Sequence, residues 1–192
     1  AGSSLSGQCS SEDVLIVCND GFKKMEVIDD GKALKCECGV IGSDANDLLK
    51  PYNRKIGPDP ATLATALVGG ILNNNSSGMC CGTAQNSYKT IRSIRVVLLD
   101  GTVLDTSDKK SIEQFLREKP QMVEEILQLR KEILADEELT HLIHHKYKIK
   151  NTTGYGLNSL VDFEDIIDII NHLFIGSEGT LGFVSEIVYN TV

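Results

Sequence analysis

Residues 57–88 have the sequence GPDPATLATALVGGILNNNSSGMCCGTAQNSY, the stretch that says most about the fold of this chain. An apolar run of helical character ends in Gly69 and Gly70, and three asparagines and a Ser-Ser-Gly turn follow it. Glycine lets backbone amides approach an anion closely, and asparagine and serine add donors without a competing charge. The stretch therefore fits a bound phosphate or diphosphate, and the alternative is a simple glycine-rich turn.

Two other segments have the same small-residue character. Residues 176–182 have the sequence GSEGTLG and join a helical run to a strand, and residues 1–8 have the sequence AGSSLSGQ. Each of the three segments supplies flexible backbone and small hydrogen-bond donors, which a shared anionic ligand would require together. We expect them to converge on one cleft although they lie far apart in the chain.

The rest of the chain alternates between strand and helix patterns. Apolar or alternating patterns of strand length occupy residues 14–18, 22–28, 34–38, 91–99, 102–104 and 183–189. Asp30-Gly31 and Asp100-Gly101 are hairpin-turn dipeptides, so the first three strands predict a β-meander. Ser43 is the predicted cap of a short helix that Pro51 ends, and residues 162–173 form a later helical run. Locally paired strands with helices in separate blocks indicate the α+β class, with an antiparallel-rich sheet flanked by helices.

Residues 107–148 are rich in charge and have helical periodicity. Their apolar side chains form two stripes, namely Ile112, Phe115 and Leu116, then Met122, Ile126, Leu129 and Ile133. Pro120 is placed to begin a second helix, and Asp136 is placed to cap a third. We expect the stripes to pack on the protein's own sheet, and the alternative is a helical hairpin that binds a partner.

Composition excludes several classes of function. The chain has 192 residues, with 19 Lys and Arg against 27 Asp and Glu and a formal net charge of −8, which is enough for one domain or one and a half. No basic block is present, which argues against a nucleic-acid partner. No apolar run approaches the roughly 18 residues that a membrane span needs.

The six cysteines are predicted to be reduced thiols, because a chain of this length does not need disulfides for stability. Cys36 and Cys38 alternate on one face of a predicted strand, where they are either small buried hydrophobic residues or half of a metal site. We favour burial, and we interpret Cys80 and Cys81 in the same way. No metal site is predicted.

Six segments in order resemble one flavoprotein family over essentially the whole chain. They are AGSSLSGQ, KIGPDPA, GGILNNNSSGMCCGTAQNSY, VVLLDGTVLDT, IKNTTGYGLNSLVDF and IGSEGTLGFVSE. The set resembles the FAD-dependent D-2-hydroxyacid dehydrogenases of the vanillyl-alcohol oxidase superfamily, whose flavin domain is of the PCMH type. The third and fifth segments most resemble the long D-lactate dehydrogenases that also carry iron-sulfur centres.

The resemblance implies that residues 1–192 are a partial PCMH-type FAD-binding domain that contains the helical segment 107–148. In the family the FAD lies between this part and a small N-terminal subdomain, and a substrate cap and an iron-sulfur cluster domain complete the protein. All three are expected to lie outside this chain. We therefore expect the 192 residues by themselves to bind FAD weakly or not at all, and not to oxidise D-lactate.

The family's three glycine loops line the FAD, and the matching residues of this chain are implied to do the same. They are Gly2, Ser3, Ser4, Leu5, Ser6, Gly7, Pro58, Asp59, Gly69, Gly70, Asn74, Asn75, Ser77, Gly78, Gly176, Ser177, Gly179, Thr180, Gly182 and Val184. Backbone contacts should dominate, with side-chain hydrogen bonds from Asn75 and Thr180. Since only Cys9, just past the opening loop, lies near the usual attachment position, non-covalent FAD is expected.

The implied reaction is the oxidation of D-lactate to pyruvate by hydride transfer to FAD, from which electrons pass to an iron-sulfur or quinone-type acceptor. A histidine usually serves as the base in the family, but no residue of this chain is assigned a catalytic role. The four histidines lie in helical patterns and are expected to be packed or solvated: His141, His144, His145 and His172.

Two other functions remain open at this point. One is the FAD domain of a glycolate or D-2-hydroxyglutarate dehydrogenase, and the other is a non-catalytic module that binds nucleotides or interacts through its helices. The expected partners are a small 2-hydroxyacid and an electron carrier or quinone. The expected location is cytoplasmic, or peripheral at the inner face of the membrane in a longer parent protein.

Overall fold

A five-stranded antiparallel sheet organises the computed structural model, which describes residues 2, 4, 7, 10–12, 14–18 and 20–192. The strands are β1 (Met25–Ile28), β2 (Ala33–Glu37), β3 (Ile91–Val97), β4 (Val103–Asp105) and β5 (Phe183–Asn190). Their order across the sheet is β1-β2-β5-β3-β4, and every neighbouring pair is antiparallel. The C-terminal strand therefore lies at the centre.

Helices flank this sheet and confirm the α+β class. They are α1 (Gly42–Leu49), α2 (Val68–Asn73), α3 (Ser87–Thr90), α4 (Lys109–Glu118), α5 (Pro120–Ala135), α6 (Glu137–Lys146), α7 (Ser159–Asp162) and α8 (Ile166–Leu173). Short 3-10 turns occupy Asp29–Gly31 and Lys50–Tyr52. No helix in the described part of the chain has the length and apolar character needed to cross a lipid bilayer.

Strand β5 is buried on both of its faces, as the central position requires. Ile187 and Tyr189 have no exposed surface on one face, and Val184 is also buried on the other. The register places Ile187 between Cys36 of β2 and Ile94 of β3. The one polar group at the end of this buried row, the Tyr189 hydroxyl, hydrogen-bonds with the buried Ser87 Oγ at 2.8 Å. The buried Tyr189 hydroxyl in this apolar row is thus paired.

Both hairpins predicted from Asp-Gly dipeptides are present, but the β-meander is wrong. Residues 14–18 form no strand, and Val14 is 85% exposed. The predicted three-stranded meander is therefore reduced to the hairpin of β1 and β2. A β-rich composition stabilises a strand only where a neighbouring strand or packed surface is available. Residues 14–17 are exposed and pair with no strand in the described structure.

Several helix boundaries also differ from the sequence predictions. Helix α1 begins at Gly42 with Ile41 as an uncapped first position, and Ser43 bonds to Asp44 instead of capping the helix. Gly69 and Gly70 lie inside α2 and do not end it. Of the predicted run 162–173, only Ile166–Leu173 form a helix, α8, which begins after Asp165 because that residue caps it by accepting from the Ile167 and Asp168 amides.

The helical segment packs on the protein itself, as predicted. Pro120 begins α5, and Asp136 caps α6 through the Leu139 amide. Phe115 and Ile133 are buried, and the Ile112, Met122 and Ile126 side chains pack against the core clusters.

Two members of the stripes are exceptions, since Leu116 is 36% and Leu129 47% exposed. The packed face of α5 is centred nearer Ile126 and Arg130, whose Nε donates to the Phe163 carbonyl. Leu129 therefore lies at the margin of that face.

Three of the four cysteines that we expected to be buried are buried. They are Cys36, Cys38 and Cys81, whereas Cys80 is exposed. Burial raises the pKa of the Cys36 thiol to about 12, so it stays neutral. The Cys80 backbone amide, which donates to Asp59, holds the loop in place. The Cys80 side chain takes no part in this contact and stays exposed.

The central position of β5 predicts a large cost for truncating it. Ile187→Ala should lower the free energy of unfolding by about 2–5 kcal/mol, because it leaves a cavity in a fully buried site. Ile149→Ala is the matched control, since Ile149 is 72% exposed, and it should change stability by less than about 0.5 kcal/mol. Urea denaturation of both variants measures the difference, and equal effects would contradict the central placement of β5.

Candidate functional site

The second and third glycine segments lie side by side, which confirms their predicted convergence. The Gly176 amide donates to the Leu72 carbonyl at 3.3 Å, and the Glu178 amide donates to the Asn73 carbonyl at 2.9 Å. From the first segment, Ser4 Oγ donates to Glu178 Oε2 at 3.4 Å. The predicted Ser3, Leu5 and Ser6 lie outside the described residues.

A cavity of about 240 Å³ opens beside these paired segments. We call it the glycine cavity, and its lining residues are Cys18, Cys38, Leu67, Gly69, Gly70, Asn73, Gly179, Gly182, Phe183 and Val184. A Cβ on Gly70 would meet no atom within 4 Å, whereas a Cβ on Gly69 would lie 2.7 Å from the Cys38 Cβ. Gly69 thus allows α2 to pack on the end of β2, and Gly70 keeps part of the cavity wall open.

Unpartnered polar atoms collect in residues 73–77, of which Asn73 lines the glycine cavity. Four buried side-chain polar atoms in the described structure have no hydrogen-bond partner. Three of them are Asn73 Oδ1, Asn75 Oδ1 and Ser77 Oγ. Buried polar groups without partners are costly and are rare in native proteins. Their concentration in residues 73–77 indicates that a ligand completes this part of the protein.

The backbone at the junction is also strained. Asn75 has a φ of +45° and Glu178 a φ of +55°, both in the left-handed region that residues with a Cβ seldom occupy. Such conformations persist where the surrounding structure enforces them, often at functional sites. Glu178 is not among the residues predicted from the sequence, because a glutamate in a glycine-rich turn gives no signal of its backbone conformation.

Asp59 holds the loop that follows the asparagines. Its Oδ1 accepts from the Gly78 and Cys81 amides at 2.9 and 3.1 Å, and its Oδ2 accepts from the Cys80 amide at 3.1 Å. Burial acts to raise the pKa of the Asp59 carboxyl, but these amides and the Cys81 side chain outweigh it and lower the pKa to about 2. A Cβ on Gly78 would lie 2.0 Å from the Asp59 carbonyl oxygen, so the close approach requires glycine.

The other predicted site residues take supporting positions around the two segments. Thr180 Oγ1 donates to the Ser177 carbonyl at 2.7 Å and hydrogen-bonds with the Tyr155 hydroxyl at 2.8 Å. Asn74 ends α2, with its amide bonded to the Gly70 carbonyl, and Pro58 is buried beside Asp59. The hydrogen bonds that we expect from Asn75 and Thr180 to FAD stay predictions.

A second cavity of about 390 Å³ shares Asn75 and Gly176 with the paired segments. We call it the Asn158 cavity, and its other lining residues are Thr83, Asn86, Tyr88, Lys89, His144, Tyr147, Lys148, Ile149, Asn151, Thr152, Gly154, Gly156, Asn158, Asp162 and Ile175. Residues 149–158 belong to the segment IKNTTGYGLN, to which sequence reasoning assigned no site. The signal was available, since this run has the same Asn, Thr and Gly composition as the other loops.

The histidines lie in helices, as predicted. His141, His144 and His145 are exposed on α6, and His144 lines the Asn158 cavity. His172 is buried in α8 and stacks on Phe163 with ring centroids 4.0 Å apart. Burial lowers the pKa of His172, which fits a neutral, packed side chain. In the described part of the chain, no three side chains of His, Cys, Asp or Glu are grouped as a metal site.

Comparison with known proteins agrees with this geometry. A family model described as the FAD binding domain matches residues 1–107. The D-2-hydroxyglutarate dehydrogenase of Pantoea ananatis is 26% identical over 189 residues, which cover 96% of this chain and 18% of that protein. The protein of the same name from Pseudomonas putida is 28% identical over 172 residues, which cover 88% of this chain and 17% of that protein. The chain thus spans less than a fifth of the length of these relatives.

A solved structure shares the fold. The structure titled alkyldihydroxyacetonephosphate synthase superposes with a TM-score of 0.57 and 18% identity over 100% of this chain and 26% of that one. This similarity shows the fold alone, and it supports the PCMH-type architecture of the sheet and its flanking helices.

The hydrogen bonds of Asp59 predict an acid-sensitive loop. The pKa of Asp59 is lowered from 3.8 to about 2 in the folded protein, so its ionised form stabilises the fold above pH 3.8. That stabilisation is lost as the pH falls through about 2. Asp59→Asn should therefore be less stable at pH 7 and should lose less stability between pH 5 and 2 than the unsubstituted protein.

Urea denaturation at a series of pH values measures this difference. Asp20→Asn is the matched control, because Asp20 is exposed, and it should have little effect on stability at pH 7. Parallel stability curves for Asp59→Asn and the unsubstituted protein would show that the Asp59 carboxylate does not hold the loop.

Proposed function

The chain belongs to the FAD-binding domain family, and on that premise we propose that it forms the flavin-holding part of an FAD-linked D-2-hydroxyacid dehydrogenase. The observation that supports this most is the stretch 73–77, where Asn73, Asn75 and Ser77 carry unpartnered side-chain atoms and Asn73 lines the glycine cavity with Gly70. A site of this kind has hydrogen-bonding capacity and space that the protein itself does not use.

The residues present fit an FAD at the paired glycine segments. Gly70 and Gly179 leave room for a ligand to approach the backbone, and residues 73–77 supply side-chain hydrogen bonds. The apolar side chains of Phe183 and Val184 exclude water from the other wall of the glycine cavity. FAD, when bound, supplies the acceptor for the hydride that the substrate loses.

Non-covalent attachment is supported by the chemistry of the nearby thiols. Cys18 and Cys38 line the glycine cavity, and burial raises the pKa of the Cys38 thiol to about 12. A thiol is a nucleophile only as its thiolate, so Cys38 is a poor candidate for a bond to the flavin. The predicted FAD-contacting residues of all three segments are retained as part of this proposal.

The names of the relatives favour D-2-hydroxyglutarate as the substrate over D-lactate. D-Lactate is kept as the competing substrate because the segments NNNSSGMCCGTAQNSY and IKNTTGYGLN resemble the long D-lactate dehydrogenases. The same resemblance supports an iron-sulfur or quinone-type electron acceptor and a cytoplasmic location. The acidic composition supports a small-molecule partner over a nucleic acid.

Gly70 provides a test of the cofactor site. Gly70→Ala in the intact protein should lower FAD affinity about tenfold or more, because its Cβ narrows the glycine cavity. Its thermal stability should be unchanged or raised, since glycine inside a helix costs about 0.5–1 kcal/mol relative to alanine. Flavin fluorescence and thermal denaturation measure the two effects.

Gly69→Ala is the matched control for this experiment. Its Cβ would lie 2.7 Å from the Cys38 Cβ, so this neighbouring variant should lose stability as well as FAD. If the Gly70→Ala variant binds FAD as tightly as the unsubstituted protein, the flavin does not bind in the glycine cavity.

Substrate preference tests the proposed activity. The intact, FAD-loaded protein should reduce an artificial dye with a higher kcat/KM for D-2-hydroxyglutarate than for D-lactate or glycolate. A higher value for D-lactate would assign the protein to the competing substrate. No flavin reduction by any D-2-hydroxyacid would contradict the dehydrogenase and favour a non-catalytic nucleotide-binding module.

A further inference from the structure

Two cysteine side chains meet in the wall of the glycine cavity. Cys18 lines it from the N-terminal segment, and Cys38 lines it from the position directly after β2. Both are free thiols, of which Cys18 is half-buried and Cys38 is 4% exposed. The fold therefore brings together two thiols from separate segments, and the more accessible one is Cys18.

Gly39 allows these two segments to approach each other. A Cβ on Gly39 would lie 2.2 Å from the Cys18 carbonyl oxygen, and the Gly39 amide donates to the Phe22 carbonyl at 2.9 Å. The chain from Cys18 to Phe22 thus packs against the residue that follows Cys38. Close backbones are the condition for a disulfide, whose Cα atoms usually lie about 4.4–6.8 Å apart.

The backbone of Cys38 is held on both sides. Its amide donates to the Ser185 carbonyl at 3.0 Å, and its carbonyl accepts from the Gly69 amide at 3.0 Å. These bonds tie Cys38 to β5 and to α2, so its position is determined by the sheet. Cys18 lies in a segment that forms no strand, and its thiol donates to the Ile16 carbonyl at 3.9 Å.

The two sulfurs differ in chemical character. Burial, the charge of a neighbouring Cys18 thiolate and a hydrogen bond to that sulfur raise the pKa of the Cys38 thiol to about 12. Cys38 is therefore protonated beside Cys18. Because the thiolate is the nucleophile and access controls its reaction, Cys18 is the sulfur that meets a reagent first.

We propose that Cys18 and Cys38 are a redox-active pair that a low-molecular-weight disulfide converts into a reversible internal disulfide. The Cys18 thiolate attacks one sulfur of the oxidant and forms a mixed disulfide, and the other half of the oxidant leaves as a thiol. Cys38, once deprotonated, attacks the Cys18 sulfur and releases the second half as a thiol. Two electrons pass from the cysteines to the oxidant, and their two protons leave with the released thiols.

Oxidised glutathione is the probe for this reaction in the intact protein. After incubation with it at micromolar concentration, the remaining thiols are alkylated and the digest is analysed by mass spectrometry. The Cys18–Cys38 cross-link should exceed the mixed disulfide on Cys18 about tenfold or more, because a linked group reacts at an effective concentration of about millimolar. Dithiothreitol should restore both thiols.

Two serine variants separate the partners from the other cysteines. Cys38→Ser should leave Cys18 as the mixed disulfide with glutathione, since no second thiol displaces it. Cys80→Ser is the matched control, because Cys80 is exposed and does not line the glycine cavity, and it should form the cross-link as the unsubstituted protein does.

Three results with the unsubstituted protein would overturn the pair, and none of them depends on a variant that folds. The first is a mixed disulfide that persists on Cys18, and the second is a cross-link from Cys18 or Cys38 to any other cysteine in comparable yield. The third is a reduced Cys18 in a preparation whose Cys80 is modified.

Bound FAD provides a separate comparison, because the thiol pair does not depend on the proposed function. A flavin in the glycine cavity would cover the wall that both thiols line, so the FAD-loaded protein should form the cross-link several-fold more slowly than the FAD-free protein. Equal rates of cross-linking would contradict the flavin site, whereas the redox pair would stand.

Discussion

The pairing of β5 between β2 and β3 is the constraint on which the candidate site depends. This last strand joins the N-terminal hairpin to the β3–β4 hairpin, and its residues Ile187 and Tyr189 are wholly buried. The segment 176–182 leads directly into β5, so the position of the strand determines where this glycine segment lies. Antiparallel pairing over long sequence separations therefore brings together segments that the chain keeps about a hundred residues apart.

Helix α2 takes its place from the same sheet. Its Val68 and Gly69 amides donate to the carbonyls of Val40 and Cys38 just after β2, at 2.8 and 3.0 Å. The absence of a Cβ at Gly69 permits this approach. Asn73, the last residue of α2, and Asn75 then lie beside the glycine segment 176–182. Asp59 completes the arrangement by binding three amides of the next loop. Packing and hydrogen bonding thus maintain a strained junction that would not be stable in an isolated peptide.

The two cavities on either side of this junction differ in chemistry. The glycine cavity has mainly apolar walls, and the backbone is open at Gly70. The Asn158 cavity has two lysines, several amides and hydroxyls, and an acceptor without a donor. Asn75 and Gly176 reach the second cavity from the segments that border the first, so a ligand in one would lie close to a ligand in the other.

The sequence by itself determined the features that depend on local physical chemistry. Asp-Gly hairpins, the first residue of α5 at Pro120 and the Asp136 cap of α6 follow from short-range backbone preferences. Only the tertiary structure decided that residues 14–17 stay exposed, that Gly69 and Gly70 lie within a helix, and that Asp59 binds a loop. It also brought residues 149–158 to the cavity of Asn158. These features depend on partners distant in the chain, since a strand needs a neighbour and a buried acceptor is recognised only when its surroundings are known.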